Sequence, residues 1–218
     1  MGRALEYGLI HIRGTPASGK TTTAKLLKYR IAIERPSLPV FTLTGWKESI
    51  VVSNGGWEKY LVKLTGISGW SDLGGLNAML LMDEAQETYW DGDLWTAFFK
   101  EISWGIGPYV ILFSSYGSPG AEPVQHRPKT PLQLPLLQRL SLRGSPISRR
   151  GSVPGIPTVG LFLSQEESSD MLDRGADFSV YARFDEELKV VLHEITSGHA
   201  GAIASLAYVI THSSNVSI

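Results

Sequence analysis

The 218-residue sequence contains no cysteine, so disulfide scaffolds, thiolate metal sites and cysteine nucleophiles are excluded. No apolar run approaches the ~18 residues of a membrane span. The opening stretch from Met1 to Gly8 lacks the apolar core of a secretion signal. Glu6 stands where a myristoylation pattern takes Ser or Thr. These absences set the expectation of a chain that acts inside a cell and does not enter the bilayer. Net charge is nearly missing as well, at -1, which argues against indiscriminate coating of nucleic acid. What is present is an ordinary apolar fraction of 43%. A chain of this size hides roughly 70% of its extended surface on folding, so a sizeable core is expected. The length suits one domain with a small appendage.

Acidic residues are missing from one long stretch. Between Pro123 and Gln165 there is none, while Arg127, Lys129, Arg139, Arg143, Arg149 and Arg150 supply six positive charges. Eight of the twelve prolines fall between Pro119 and Pro157, a density that prevents long helices and central strands. Two readings stand for this stretch. One is a solvated insertion; the other is a basic loop that meets phosphate, on a nucleotide or on nucleic acid. The expected organisation is an α/β core over 1–158, with the basic proline-rich segment at 119–158, followed by a helical subdomain over 159–218.

Elsewhere short apolar runs alternate with amphipathic ones. Gly8 to Arg13 reads as a strand broken at Gly14. Thr21 to Ile33 reads as a helix, with Ala24, Leu26, Leu27 and Ile31 towards its apolar side. Pro39–Leu43, Ala78–Met82 and Tyr109–Phe113 read as strands, and the last two are unbroken apolar runs of the kind buried parallel strands use. Trp57–Leu64 and Leu94–Ile102 read as helices. The alternation predicts a three-layer α/β fold with a mostly parallel central sheet. Towards the end, Ser164 and Glu167 match a capping box. Leu188, Val191, Leu192 and Ile195 keep helical spacing up to Gly198, and His199–Ile210 reads as a further helix.

The strongest chemical signal is Gly14-Thr15-Pro16-Ala17-Ser18-Gly19-Lys20-Thr21, a full G-x-x-x-x-G-K-[ST] pattern between an expected strand and an expected helix. Glycines there permit close backbone approach, and successive N–H groups surround phosphates at the positive end of the helix. Gly14 to Thr22 are therefore the candidate nucleotide-binding residues. Lys20 is assigned to the β- and γ-phosphates, and the Thr21 hydroxyl to Mg²⁺. Asp83 and Glu84 end the apolar run that starts at Ala78. Asp83 is the second metal-holding candidate, and Glu84 the general base for a water attacking the γ-phosphate. Ser114 and Ser115 end the next strand, where ligands of α/β sheets sit, and are candidates to bond the γ-phosphate or the water. Arg139 and Arg143 flank Leu140-Ser141-Leu142, a possible edge strand, and are candidates to reach the γ-phosphate.

Two weaker patterns have blander readings. Glu187-Leu188-Lys189, with Asp177 or Asp185, matches a fragment of metal-dependent nuclease sites, but it lies on a helical pattern and reads as a solvated face. The five histidines never pair at zinc-ligand spacing.

Taken together, the phosphate loop from Ile12 to Thr21, the stretch from Leu81 to Gln86, and Tyr109 to Ser118 make the chain resemble the P-loop NTPase module of crinkler-type proteins of fungi and oomycetes. That module is similar to AAA and STAND ATPases. The resemblance runs from about Gly8 to Ile210 and includes Tyr89 to Trp95 and Leu192 to Ala202. The last stretch falls where STAND-type modules place a G-x-P turn in a helical lid, with Ala200 in place of the proline. The resemblance implies a C-terminal helical lid, ATP as substrate with Mg²⁺, slow hydrolysis and a conformational switch. It also implies control of other domains or a homo-oligomer, and an effector or conflict role in a host cell or its nucleus. No arginine matches the finger or lid arginine of AAA enzymes. No N-K-x-D guanine signature is present, which favours adenine. Two other functions compete with the ATPase switch: a nucleotide-dependent partner-binding module with little turnover, and a nucleic-acid-binding or nuclease-associated protein acting through 123–165.

Overall fold

The computed structural model describes residues 2–71, 76–102, 108–115, 132, 134–135, 138–140 and 162–213. The chain divides into two compact units, Met1–Gly14 with Lys20–Leu140, and Thr15–Gly19 with Ser141–Ile218. The middle of the phosphate loop thus groups with the second unit. Of the basic proline-rich segment, Arg127, Lys129, Arg143, Arg149 and Arg150 lie outside the described residues.

The first unit is built on five parallel strands: β1 (Leu9–Gly14), β2 (Val40–Thr44), β3 (Met79–Asp83), β4 (Tyr109–Ser115) and β5 (Arg139–Leu140). Their order is β2-β3-β4-β1-β5. Helices α1 (Gly2–Tyr7), α2 (Lys20–Glu34), α3 (Glu48–Ser53) and α4 (Trp57–Thr65) accompany them. β1, which ends at Gly14, lies between β4 and the edge strand β5, and the sheet is the parallel α/β sheet that the alternation predicts. Of the stretch at 140–142 read as a possible edge strand, Leu140 lies in β5 beside Arg139, and Ser141 and Leu142 lie outside the described residues.

Period-two alternation explains the layers. Leu9 of β1, Leu80 and Met82 of β3, and Val110 and Leu112 of β4 join one core with Trp46, Leu61, Trp70, Trp95, Phe98 and Phe99. Ala24 and Ile31 of α2 are also buried, and α2 packs on β2, β3 and β4. Every residue of β3 is buried, as a strand covered on both faces requires. Leu26 departs from expectation. It is 63% exposed, because Ala24 and Ile31 define the inward stripe and Leu26 lies off it.

The helix expected over Leu94–Ile102 forms as a wider π-type helix, Leu94–Phe99, in which Lys100 N–H donates to Trp95 carbonyl five residues back at 3.2 Å. Leu94, Trp95, Phe98 and Phe99 are all buried. Trp95 stacks edge-on to both Tyr89 and Phe99 at 5.0 Å, the geometry aromatic rings prefer. Its indole N–H also donates to Thr88, so the polar end of this buried ring is satisfied.

The helices of the second unit are α5 (Gln165–Asp177), α6 (Glu186–Thr196) and α7 (Ala200–Ser213). The capping box forms as read: Ser164 Oγ accepts from Glu167 N–H at 3.2 Å, and the Glu167 carboxylate accepts from Ser164 N–H at 2.7 Å. Leu172, Phe184, Leu192, Ile203 and Ala207 form the core. The solvated reading of Glu187-Leu188-Lys189 fails at its last residue. Lys189 is only 4% exposed, and its ammonium lies 2.7 Å from both Asp173 and Glu186. Two carboxylates at the rim of the helix pair offset the burial of that charge. Asp185 instead caps α6, accepting from Leu188 N–H at 2.8 Å, and Asp177 pairs with Arg183.

Candidate functional site

The carboxyl ends of four parallel strands lie along one edge of the sheet, those of β1 and β4 reaching about two residues beyond those of β2 and β3. Gly14 of β1 faces Ser115 of β4, and Thr44 of β2 faces Asp83 of β3. In an open α/β sheet, that edge is where ligands bind. Lys20 and Thr21 open α2 immediately after the phosphate loop.

Thr21 Oγ1 donates to Asp83 Oδ2 at 2.6 Å, which brings the two metal-holding candidates together. The other Asp83 oxygen accepts from the Glu84 N–H at 3.0 Å. Lys20 is buried, 4% exposed, with its ammonium directed back at the Gly14 carbonyl, 3.5 Å away. Burial lowers its pKa from the usual lysine range, and the negative charges of Glu84 and Asp83 oppose that shift. The site therefore contains a partly desolvated cation with two carboxylates close by.

Glu84 adopts a left-handed backbone, φ 50° and ψ 40°, which costs roughly 1–2 kcal/mol outside glycine. Gly45 makes the turn sterically possible. Its N–H donates to the Asp83 carbonyl at 2.7 Å, and a Cβ on it would collide with the Glu84 carbonyl. The Glu84 carboxylate accepts from the Gln86 side-chain amide and from Ser115 Oγ, the latter at 3.3 Å. Gln86 Oε1 in turn accepts from Ser115 N–H at 2.8 Å. Gln86 thus ties the Glu84 carboxylate, just past β3, to the end of β4. Reading the sequence missed it, although its place two residues after Glu84 marks it as a neighbour.

The two serines part company. Ser114 lies on the opposite face of β4 from Ser115, fully buried, with Oγ 2.6 Å from His11 Nε2. Strand alternation was the available signal: adjacent residues cannot share a face. His11 is packed 6.1 Å from the Trp95 ring. Its pKa is held down to about 3 by burial and by the nearby charges of Arg13 and Arg139. Arg139 is exposed and pairs with His11, three residues before the loop and so about 10 Å short of it along the strand. The structure does not bring its backbone to the phosphate loop. Arg143 lies outside the described residues.

A histidine neutral in the fold and free to protonate when unfolded makes stability depend on pH. The unfolded chain binds the extra proton below its ordinary pKa near 6.5, while the folded chain resists down to about 3. Stability is full above about 6.5 and is lost as pH falls through that window. His11→Gln should reduce the loss between pH 7 and pH 5 by about 2 kcal/mol relative to wild type. Equal losses between pH 7 and pH 5 in wild type and His11→Gln, measured by urea unfolding, would show that His11 does not carry this dependence.

In the second unit, the loop residues Ala17 and Gly19 have positive φ, 58° and 90°, on either side of Ser18. Alternating handedness of this kind turns successive backbone N–H groups towards one point. Ser18 is buried, and its Oγ has no hydrogen-bond partner among the described residues. Nothing described lies within 4 Å of where a Gly19 Cβ would be. Pro16, Ala17 and Thr22 are exposed.

Among solved structures, the chain is similar to two single-substitution variants of RuvB from Thermotoga maritima, one arginine-to-alanine and one threonine-to-valine. Each aligns with a TM-score of 0.44 and 13% identity, covering 91% of this chain and 52% of the other. The chain thus spans about half the length of those proteins. No family model matches it, and a search of curated proteins found no match.

Proposed function

We propose that the chain binds Mg–ATP in the Gly14–Thr21 loop and hydrolyses it slowly, as a conformational switch. The observation that carries this reading is the Thr21–Asp83 bond of 2.6 Å, which sets hydroxyl and carboxylate side by side at the end of the phosphate-binding pattern. The residues present fit the ligands. Ser18 offers a buried, unpartnered hydroxyl inside the loop. Among the described residues no three His, Cys, Asp or Glu side chains gather. Thr21 and Asp83 are the residues that would hold Mg²⁺, an ion that suits a hydroxyl and a single carboxylate beside phosphate. The chemistry that ion would supply there is neutralisation of charge on the phosphates.

In this reading, backbone N–H groups of the loop orient the phosphates, and Lys20 holds the β- and γ-oxygens through charge-assisted bonds. Thr21 and Asp83 hold the metal, and Glu84 receives the proton of the attacking water at its carboxylate. Ser115 and Gln86 hold that carboxylate. The tether supports slow turnover, because Glu84 must exchange these partners for water before it can act.

The sequence resemblance carries the further proposal of a crinkler-type effector or conflict protein. The nucleic-acid alternative rests on the charge of 123–165 alone. No helix among the described residues is long and apolar enough to cross a membrane.

Calorimetric titration with ATP and GTP, with and without Mg²⁺, followed by phosphate-release assays, tests the proposal. The expected result is Mg²⁺-dependent ATP binding, weaker GTP binding and slow phosphate release. Absence of binding to either nucleotide overturns it.

A further inference from the structure

The second unit contains both the middle of the phosphate loop and the three helices, and the two are joined at the start of α7. His199 Nε2 lies 2.9 Å from Thr15 Oγ1. Its other ring nitrogen, Nδ1, accepts from the Ala202 N–H at 3.2 Å. An Nδ1 that accepts is unprotonated, so Nε2 carries the hydrogen and donates it to Thr15. One ring therefore caps the first turn of α7 and bonds the second residue of the loop.

Two residues on, the Gly201 N–H donates to the Ala17 carbonyl at 3.0 Å. The approach is so close that a Cβ on Gly201 would sit 2.6 Å from that carbonyl oxygen and would also run into the Ala17 side chain. Ala17 is the loop residue with a left-handed backbone, φ 58°. A strained, exposed alanine persists in that conformation only where its surroundings impose it. The contacts that do so here are the turn bond from Ser18 N–H to the Thr15 carbonyl at 3.3 Å and the contacts from α7. Phe162 packs 5.7 Å from the His199 ring.

We infer that His199 and Gly201 form a latch through which α7 holds the phosphate loop in its binding conformation, His199 being a positioning residue for nucleotide and not a ligand of it. The inference rests on the proposed nucleotide site. It adds that the helical unit senses loop occupancy directly, through Thr15 and Ala17. Because coupling between two events is reciprocal, any factor by which the latch raises ATP affinity is also the factor by which ATP closes the latch. A donor–acceptor pair and the turn it supports correspond to about a tenfold effect in each direction.

The test uses the full chain with Mg–ATP as probe. Thr15→Val and His199→Ala remove the same bond from opposite sides, and Gly201→Ala pushes the loop away. Each should weaken ATP binding about tenfold, and the double variant Thr15→Val with His199→Ala should be no worse than either single variant. In wild type, saturating Mg–ATP should slow hydrogen exchange at the Gly201 and Ala202 amides about tenfold. In His199→Ala and Thr15→Val that slowing should disappear, although exchange elsewhere in α5 and α6 stays native. The last comparison separates a latch from simple unfolding of the helical unit. If wild type binds ATP but the three variants bind it equally well, or ATP leaves α7 exchange unchanged, the latch is overturned while the nucleotide site stands. If wild type binds no ATP, both fall together.

Discussion

Lys20→Ala should weaken Mg–ATP binding by at least about 100-fold. A hydrogen bond to a charged group contributes about 1.5–3 kcal/mol, and contacts to two phosphates multiply into a loss of that size or larger. The position of Lys20 makes the effect diagnostic. Its ammonium is buried beside the Gly14 carbonyl and has a lowered pKa, because desolvation outweighs the attraction of Glu84 and Asp83. Phosphate charge entering the loop favours the protonated form and raises that pKa again. Wild-type affinity should therefore fall as pH rises through the depressed lysine pKa, below the ordinary value near 10.4, and binding should take up a proton in that window. Lys20→Ala should bind weakly at every pH and show no such uptake. In thermal melts, ATP at about 100 times the wild-type Kd should stabilise wild type by about 2.7 kcal/mol and the variant by no more than about 0.4 kcal/mol. Unchanged affinity would remove Lys20 from the site and, with it, the assignment of the loop to phosphate.

The parts of this site that were legible in the sequence are those that chain continuity enforces. Gly14 to Thr21 must lie between β1 and α2 because the pattern itself spans the junction. Asp83 must end β3 because five apolar residues precede it. The parallel sheet followed from the unbroken runs of β3 and β4, and the capping box of α5 from two residues at fixed spacing. What was not legible depends on partners distant in sequence. Lys189 reads as solvated until Asp173, from another helix, is placed beside its ammonium. Gln86 has no periodic signal, since its role is to bridge Glu84 and Ser115 across neighbouring strands. Gly45 looks like a turn residue until the left-handed Glu84 is seen to need its missing side chain. Helices α1 and α3, at six residues each, are too short to show a period. The Ser114–Ser115 pair is intermediate: alternation dictates that only one can face the carboxylates, but choosing between them required the register with β1.

Glu84→Gln should retain ATP and hydrolyse it about 100-fold more slowly, the usual loss for a missing general base. The amide keeps nearly the volume and reach of the carboxylate but cannot take a proton from water at neutral pH. Binding should survive because Glu84 is not among the groups assigned to the phosphates or the metal, and losing its negative charge near Lys20 alters the site only through the field. Gln86→Ala gives the informative contrast. It removes the amide that holds the Glu84 carboxylate and the carbonyl that accepts from Ser115 N–H, yet leaves the base itself in place. If the tether restrains Glu84 from reaching water, Gln86→Ala should release phosphate faster than wild type. If the tether instead aims Glu84 at the water, the same variant should be slower, though less so than Glu84→Gln. The left-handed backbone of Glu84, fixed by the close approach of Gly45, already directs the side chain without Gln86. The restraint outcome, a rise of a few-fold in single-turnover phosphate release, is therefore the expected one. A Glu84→Gln variant that releases phosphate at the wild-type rate would show that this carboxylate only shapes the turn after β3, and the base would then have to be sought elsewhere.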